Sequence, residues 1–302
     1  MTKNVWVLMI AQAFAMCAAP LVVFAGGLIG QQLAMNNSFA TLPVAAMVIG
    51  TALAVYPAAM LASHKGRKVV FLGAMVIGVL ASLLAVYSLQ IESFSAFVMA
   101  AVLVGIVLAC IQQFRFAAME SVAVDLMPVA ASRLLLAGII AAYLGPELVT
   151  IGQSIHEQTF TGAFYLLAGC FVIAFFLLLF GYNNIELKQE VGEQVQRSFA
   201  ELLSSPGILL AMGSASVGFA VMSFIMTATP ISMHELNHYR LEETKWVIQS
   251  HIMAMFIPSL FSGWLVRKLG FTNMMWAGLG IYLVCLLIAY WDQALVHYWS
   301  AL

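Results

Sequence analysis

Nine stretches of about twenty apolar residues follow one another along this chain. Roughly 20 residues at ~1.5 Å each are what an α-helix needs to cross ~30 Å of hydrocarbon. The stretches lie at about 5–30, 41–62, 69–90, 97–123, 133–152, 162–182, 206–229, 244–266 and 272–290. Only 8% of the 302 residues are charged and 63% are hydrophobic. A soluble domain usually carries about 25% charged residues, so the solvent for this sequence is a bilayer. An all-α membrane protein follows, since a backbone in lipid must satisfy its own polar groups.

Lysine and arginine set the expected orientation. With the N-terminus in the cytosol, Lys3, Lys65, Arg67, Lys68, Arg133, Lys188, Arg197, Arg267 and Lys268 all fall on the cytosolic side, and only Arg240 and Lys245 on the other. The first apolar run is too long for a signal-peptide core and is read as a span. A polar stretch carrying Glu186, Lys188, Glu190, Glu193, Arg197 and Glu201 separates six spans from the three that follow. It predicts a bundle at 1–182, a cytosolic linker with a short surface helix at 183–205, and a second, partial bundle at 206–302. The net charge of −1 gives no support for a nucleic-acid partner. Cys17, Cys110, Cys170 and Cys285 sit singly in apolar runs, so no disulfide framework or metal site is implied, and no cofactor motif is present.

Two loops resemble each other. Ala59 to Lys68 (AMLASHKGRK) and Gly263 to Thr272 (GWLVRKLGFT) each place a Leu five residues before a Gly, at Leu61/Gly66 and Leu265/Gly270, with basic residues between or beside them. Both join the second and third spans of their half. A tight helix-to-helix turn needs the backbone freedom of Gly, and cations hold such a loop in the cytosol. At these residues the chain resembles the major facilitator superfamily, whose signature there is Gly-x-Leu-Ala-Asp-Arg-x-Gly-Arg-Lys. The first copy matches at Leu61, Ala62, Gly66, Arg67 and Lys68 and departs at Ala59, Ser63 and His64. The second keeps Gly263 and Gly270 but has Arg267 where the signature is acidic. In the family that acidic residue helps latch the two halves, and neither Ser63 nor Arg267 supplies the charge. Asp125-Leu126-Met127-Pro128 with Arg133 resembles the family's turn between the fourth and fifth helices. Gly145-Pro146 looks like part of its antiporter motif, without the flanking glycines. The resemblance implies twelve helices that rock as two bundles about a central site. Against that expectation the tenth helix has barely begun, near Leu295, when the sequence stops.

Ionisable and polar groups inside spans are costly and therefore functional candidates. Arg115 on the fourth span, with Gln112 three residues earlier on the same helical face, could bind a carboxylate or phosphate; the alternative is a structural Arg that pairs or snorkels. Glu147 follows Gly145-Pro146 and could carry a proton or pair with Arg115. Glu120 is read as an interfacial charge. On the eighth span Gln249, Ser250 and His251 form a polar patch, in which His251 could gate protons, bind substrate or simply pack, and Pro258 should kink the helix. Gln12, Pro20, Thr227 and Thr229 are further cavity candidates. Gly26 and Gly30 permit close packing of the first span. His234 and His238 have metal-like spacing but no third ligand, so no metal site is expected.

The function expected is secondary transport of a small polar or amphipathic solute across a bacterial inner membrane, coupled to protons through Glu147 or His251. A membrane enzyme would need clustered acid, base or nucleophile groups, which the spans do not show. A truncated, non-transporting fragment or scaffold is the alternative, since the second half lacks the last three helices of the pattern.

Overall fold

The computed structural model describes residues 2–155, 160–184, 201 and 204–302, with side chains of 258–260, 262 and 263 outside the description. The short helix expected at 197–203, the effect of Pro258 and the surroundings of Gly263 therefore lie outside the described residues. The described residues fold into twelve α-helical segments: α1 Lys3–Ala15, α2 Ala18–Leu33, α3 Leu42–Lys65, α4 Arg67–Gln90, α5 Phe94–Ile111, α6 Phe114–Glu120, α7 Met127–Gln153, α8 Thr161–Gly181, α9 Pro206–Ile231, α10 Leu241–Leu269, α11 Phe271–Trp291 and α12 Leu295–Ala301. Among the described residues, eight helical runs are long and apolar enough to cross a membrane. The ninth expected span coincides with α10, which is 29 residues long and carries Glu242, Glu243, Lys245, Arg267 and Lys268 near its ends.

Two of the expected spans are broken. The first divides at Met16-Cys17 into α1 and α2. Pro20 has no N–H to offer the Met16 carbonyl one turn back, and that carbonyl instead accepts from Ala19 N at 3.2 Å, a tighter i−3 bond. The fourth divides at Gln112-Gln113 into α5 and α6, where Gln113 N likewise reaches back three residues to the Cys110 carbonyl.

Helices α1 to α8 pack as one group. α3 and α5 meet backbone to backbone, because Gly50 and Gly105 each lie where a Cβ would overlap a carbonyl of the other helix, Val102 O and Met47 O. Thr51 Oγ1 completes that contact by donating to the Gly105 carbonyl at 3.0 Å. The Gly26/Gly30 pair serves the same group, with Gly26 against Val44 and Gly30 against the Ala40 carbonyl. The later helices touch this group chiefly through α9 on α2 and α10 on α7, with α10 also reaching α2.

The loops at 66, 121–126 and 270 lie at one end of the bundle, here called the basic end after Lys65, Arg67, Lys68, Arg267 and Lys268. The residues at 34–41, 154–155, 237–240 and 292–294 lie at the far end. Gly66 (φ +82°, ψ 152°) and Gly270 (φ +76°, ψ 160°) make the same turn between consecutive helices of each half. This backbone region is essentially restricted to glycine.

Candidate functional site

The seam between α7 and α10 holds the densest polar cluster that joins the two groups of helices. Glu147 projects from α7 one residue past Pro146. Lys245 Nζ donates to Glu147 Oε1 at 3.0 Å, and Gln249 Nε2, one helical turn along α10, donates to the same oxygen at 3.3 Å and to the Tyr143 carbonyl at 2.8 Å. Thr150 Oγ1 reaches Glu147 Oε2 at 3.0 Å. The carboxylate is thus held by three side chains, two of them from across the seam. Lys245 is 8% exposed and Gln249 5%. Beside them a cleft of about 440 Å³ opens, lined by Glu147, Thr150, Ile151, Gln153, Arg240, Leu241, Glu242 and Lys245.

The seam continues to the middle of α7. Gly138 gives room to the Phe256 ring, which a Cβ there would approach to 2.3 Å. A parallel seam joins α2 to α9, where Gly27 faces Ile231 Cδ1 at 3.1 Å from its Cβ position. Thr227 is buried on the same helix, and Thr229 donates to its own helix at Ile225 O. Among the described residues, every hydrogen bond and ion pair joining helices α1–α8 to helices α9–α12 belongs to the Glu147 cluster.

These positions correct several expectations. Glu147 pairs with Lys245, not with Arg115. Lys245, read as a cation on the far side, lies in the first turns of α10 and is buried against Glu147. Its signal was present in the sequence as the one lysine within two turns of the polar Gln249, opposite a span with a lone carboxylate. Gln249 and Gln12 are candidate solute contacts, and in this structure each donates its amide to a neighbouring helix. Gln12 Nε2 donates to the Leu134 carbonyl of α7 at 3.1 Å. His251 Nδ1 lies 2.6 Å from the Leu302 carbonyl and its Nε2 is buried without a partner. His251 therefore faces α12 rather than the seam.

Arg115 and Gln112 straddle the α5/α6 break, and both are exposed. Among the described residues neither side chain has a hydrogen bond or ion pair, so guanidinium and amide keep their donors free. Glu120, expected as a loose interfacial charge, accepts two bonds from Arg67: Nε to Oε2 at 2.7 Å and Nη2 to Oε1 at 2.5 Å. Ser63 of the loop motif turns back to the Met60 carbonyl. Lys68 N donates to Asn184 Oδ1 at 2.9 Å, and Asn4 and Asn183 bond each other through side chain and backbone. The sequence reading missed these three asparagines, which carry no motif. His234 Nδ1 is 2.9 Å from the Tyr239 carbonyl, and no group of three metal-ligating side chains occurs among the described residues.

A family model described as Major Facilitator Superfamily matches residues 8–302. The riboflavin transporter RfnT of Brucella anthropi is 30% identical over 99% of this chain and 76% of its own length. The MFS-type transporter YddS of Bacillus subtilis, described as uncharacterized, is 27% identical over 90% of the chain and 66% of its own length. Among solved structures, a bacterial homolog of the human lysosomal transporter Spinster, inward-facing and unoccupied, superposes with a TM-score of 0.74 at 14% identity, covering 99% of this chain and 71% of that one. The nucleoside transporter NupG superposes at 0.64 with 15% identity, over 100% of this chain and 78% of its own. At such identities the structures speak for the fold.

Proposed function

Because this chain belongs to the major facilitator superfamily of membrane transporters, we propose that it carries a small amphipathic solute across the bacterial inner membrane by alternating access, coupled to protons. The observation that carries the mechanism is the seam. Two groups of helices, residues 1–182 and 206–302 with a linker at 183–205, are tied by side-chain bonds in the far half alone among the described residues. Two bodies closed at one end are the form that rocking about a central site requires. The basic residues orient the other end to the cytosol.

The substrate class rests on the riboflavin transporter to which this chain is 30% identical. A flavin offers ring carbonyls and a polyol to donors and a flat apolar face to the cavity wall. Arg115 and Gln112, with free donors near the basic end, suit such oxygens and would equally hold a carboxylate or phosphate. Gln12 and Gln249, whose amides bond neighbouring helices, are assigned to holding helices together.

Uptake of labelled riboflavin into proteoliposomes tests this reading. Accumulation above protein-free vesicles, raised by an imposed proton gradient and weakened by Arg115→Gln, is the expected result. Absence of uptake with and without the gradient would contradict it.

A further inference from the structure

We propose that Glu147 is the proton-binding site that releases the far-end seam, and that Lys245 is the group whose desolvation makes the release obligatory. The inference rests on the transport reading above and assigns its coupling step to one of the two ionisable candidates.

In the closed seam, Glu147 and Lys245 cancel each other at 3.0 Å, with side-chain exposures of 20% and 10%. Adding one proton to the carboxylate leaves an ammonium buried without a counter-charge. An unpaired buried charge costs several kcal/mol, so the protonated seam is unstable while closed. Parting α7 from α10 lets the ammonium hydrate. The proton goes onto a carboxylate oxygen of Glu147, Lys245 keeps all three of its own, and no other covalent bond changes. The Gln249 amide's bonds to Glu147 and to the Tyr143 carbonyl both cross the seam, so parting exchanges them for bonds to water.

The site is reachable. The cleft of about 440 Å³ runs from Glu147 to Arg240 and Glu242 at the start of α10, so far-side water has a route to the carboxylate. Glu242 stands in the same cleft as a second acceptor for the freed ammonium. Elements packed on the other sides of α7 do not compete. α2 has no ionisable side chain, α8 offers Tyr165 and Cys170, α1 only Lys3 at the basic end, and α6 only Arg115 and Glu120 at that end. On α7 itself Tyr143 and Arg133 are the other ionisable groups. His251 makes no bond across the seam.

The test uses spin labels at Ile151→Cys and Leu241→Cys, which flank the cleft on α7 and α10, in a background without the native cysteines. Distances are measured by pulsed dipolar spectroscopy in lipid nanodiscs from pH 8 to pH 5.5. The expected result is a long-distance population that grows as pH falls, is present at every pH in Glu147→Gln, and responds as in the parent in Glu242→Gln. A pH response in Glu147→Gln equal to the parent's, or none in the parent, overturns the proposal. Should Glu147→Gln fail to fold, the exchanged pair E147K/K245E serves: it should close at high pH and open at low pH, and a pH-independent distance would count against the mechanism. Riboflavin counterflow in the same preparation separates the two readings. Counterflow without a pH response rejects the proton site alone, and a pH response without counterflow rejects the substrate alone.

Discussion

Gly66 and Gly270 occupy one backbone conformation at φ +82° and +76°, each ending one long helix and starting the next. The two loops share little sequence beyond the glycine, the preceding leucine and their cations. What the halves repeat is therefore the turn, and the glycine is the residue that the turn demands.

The two glycines differ in surroundings, and this predicts an asymmetry. A Cβ at Gly66 would meet Asn184 Nδ2 at 2.7 Å, while among the described residues nothing lies within 4 Å of a Cβ placed at Gly270. Both Gly→Ala changes incur backbone strain of about 1–3 kcal/mol. G66A should lower the melting temperature in detergent further than G270A, because it also disturbs the Asn184 bond to Lys68 N.

Arg67 and Glu120 should behave as a coupled pair. Their two-point bond joins the basic-end loop to α6 within the first group of helices. R67A and E120A should each destabilise the chain, and the double variant should be less destabilised than the sum, with a coupling on the order of 1 kcal/mol given their partial exposure. Chemical or thermal unfolding of the four proteins measures it.

Phe256 fits against Gly138 where a methyl group has no room. G138A should hold the seam apart and reduce riboflavin uptake several-fold. F256A should restore much of that loss when combined with it. A G138A protein with unchanged uptake would show that the contact does not limit closure.

Removing one partner of the Glu147–Lys245 pair leaves the other charge buried. K245M should therefore destabilise the closed form by on the order of 3 kcal/mol, and E147Q/K245M together should recover part of it. The readout is the melting temperature at pH 8.

Much of this molecule was legible in its sequence. Span number and approximate limits follow from apolar length, and the turn glycines follow from the repeated loop. The breaks at Met16-Cys17 and Gln112-Gln113 were not anticipated, although Pro20 accounts for the first. Side-chain pairing was harder. Hydropathy places Glu147 and Lys245 at similar depth, but only the packing of α7 on α10 says that they meet, 98 residues apart in the chain. Gln12 and Gln249 illustrate the converse: a polar group in a span can be consumed by a neighbouring backbone, and composition does not separate that use from solute binding. Asn4, Asn183 and Asn184 lie at helix ends, where asparagine is ordinary.

Locking the far end tests the central claim most directly. In a chain without its native cysteines, Ile151→Cys and Leu241→Cys would be joined by a short reducible cross-linker and riboflavin uptake into proteoliposomes followed. Uptake should stop on cross-linking and return on reduction, because α7 and α10 must part once in every cycle. Uptake that continues at the same rate with the two helices joined would contradict it.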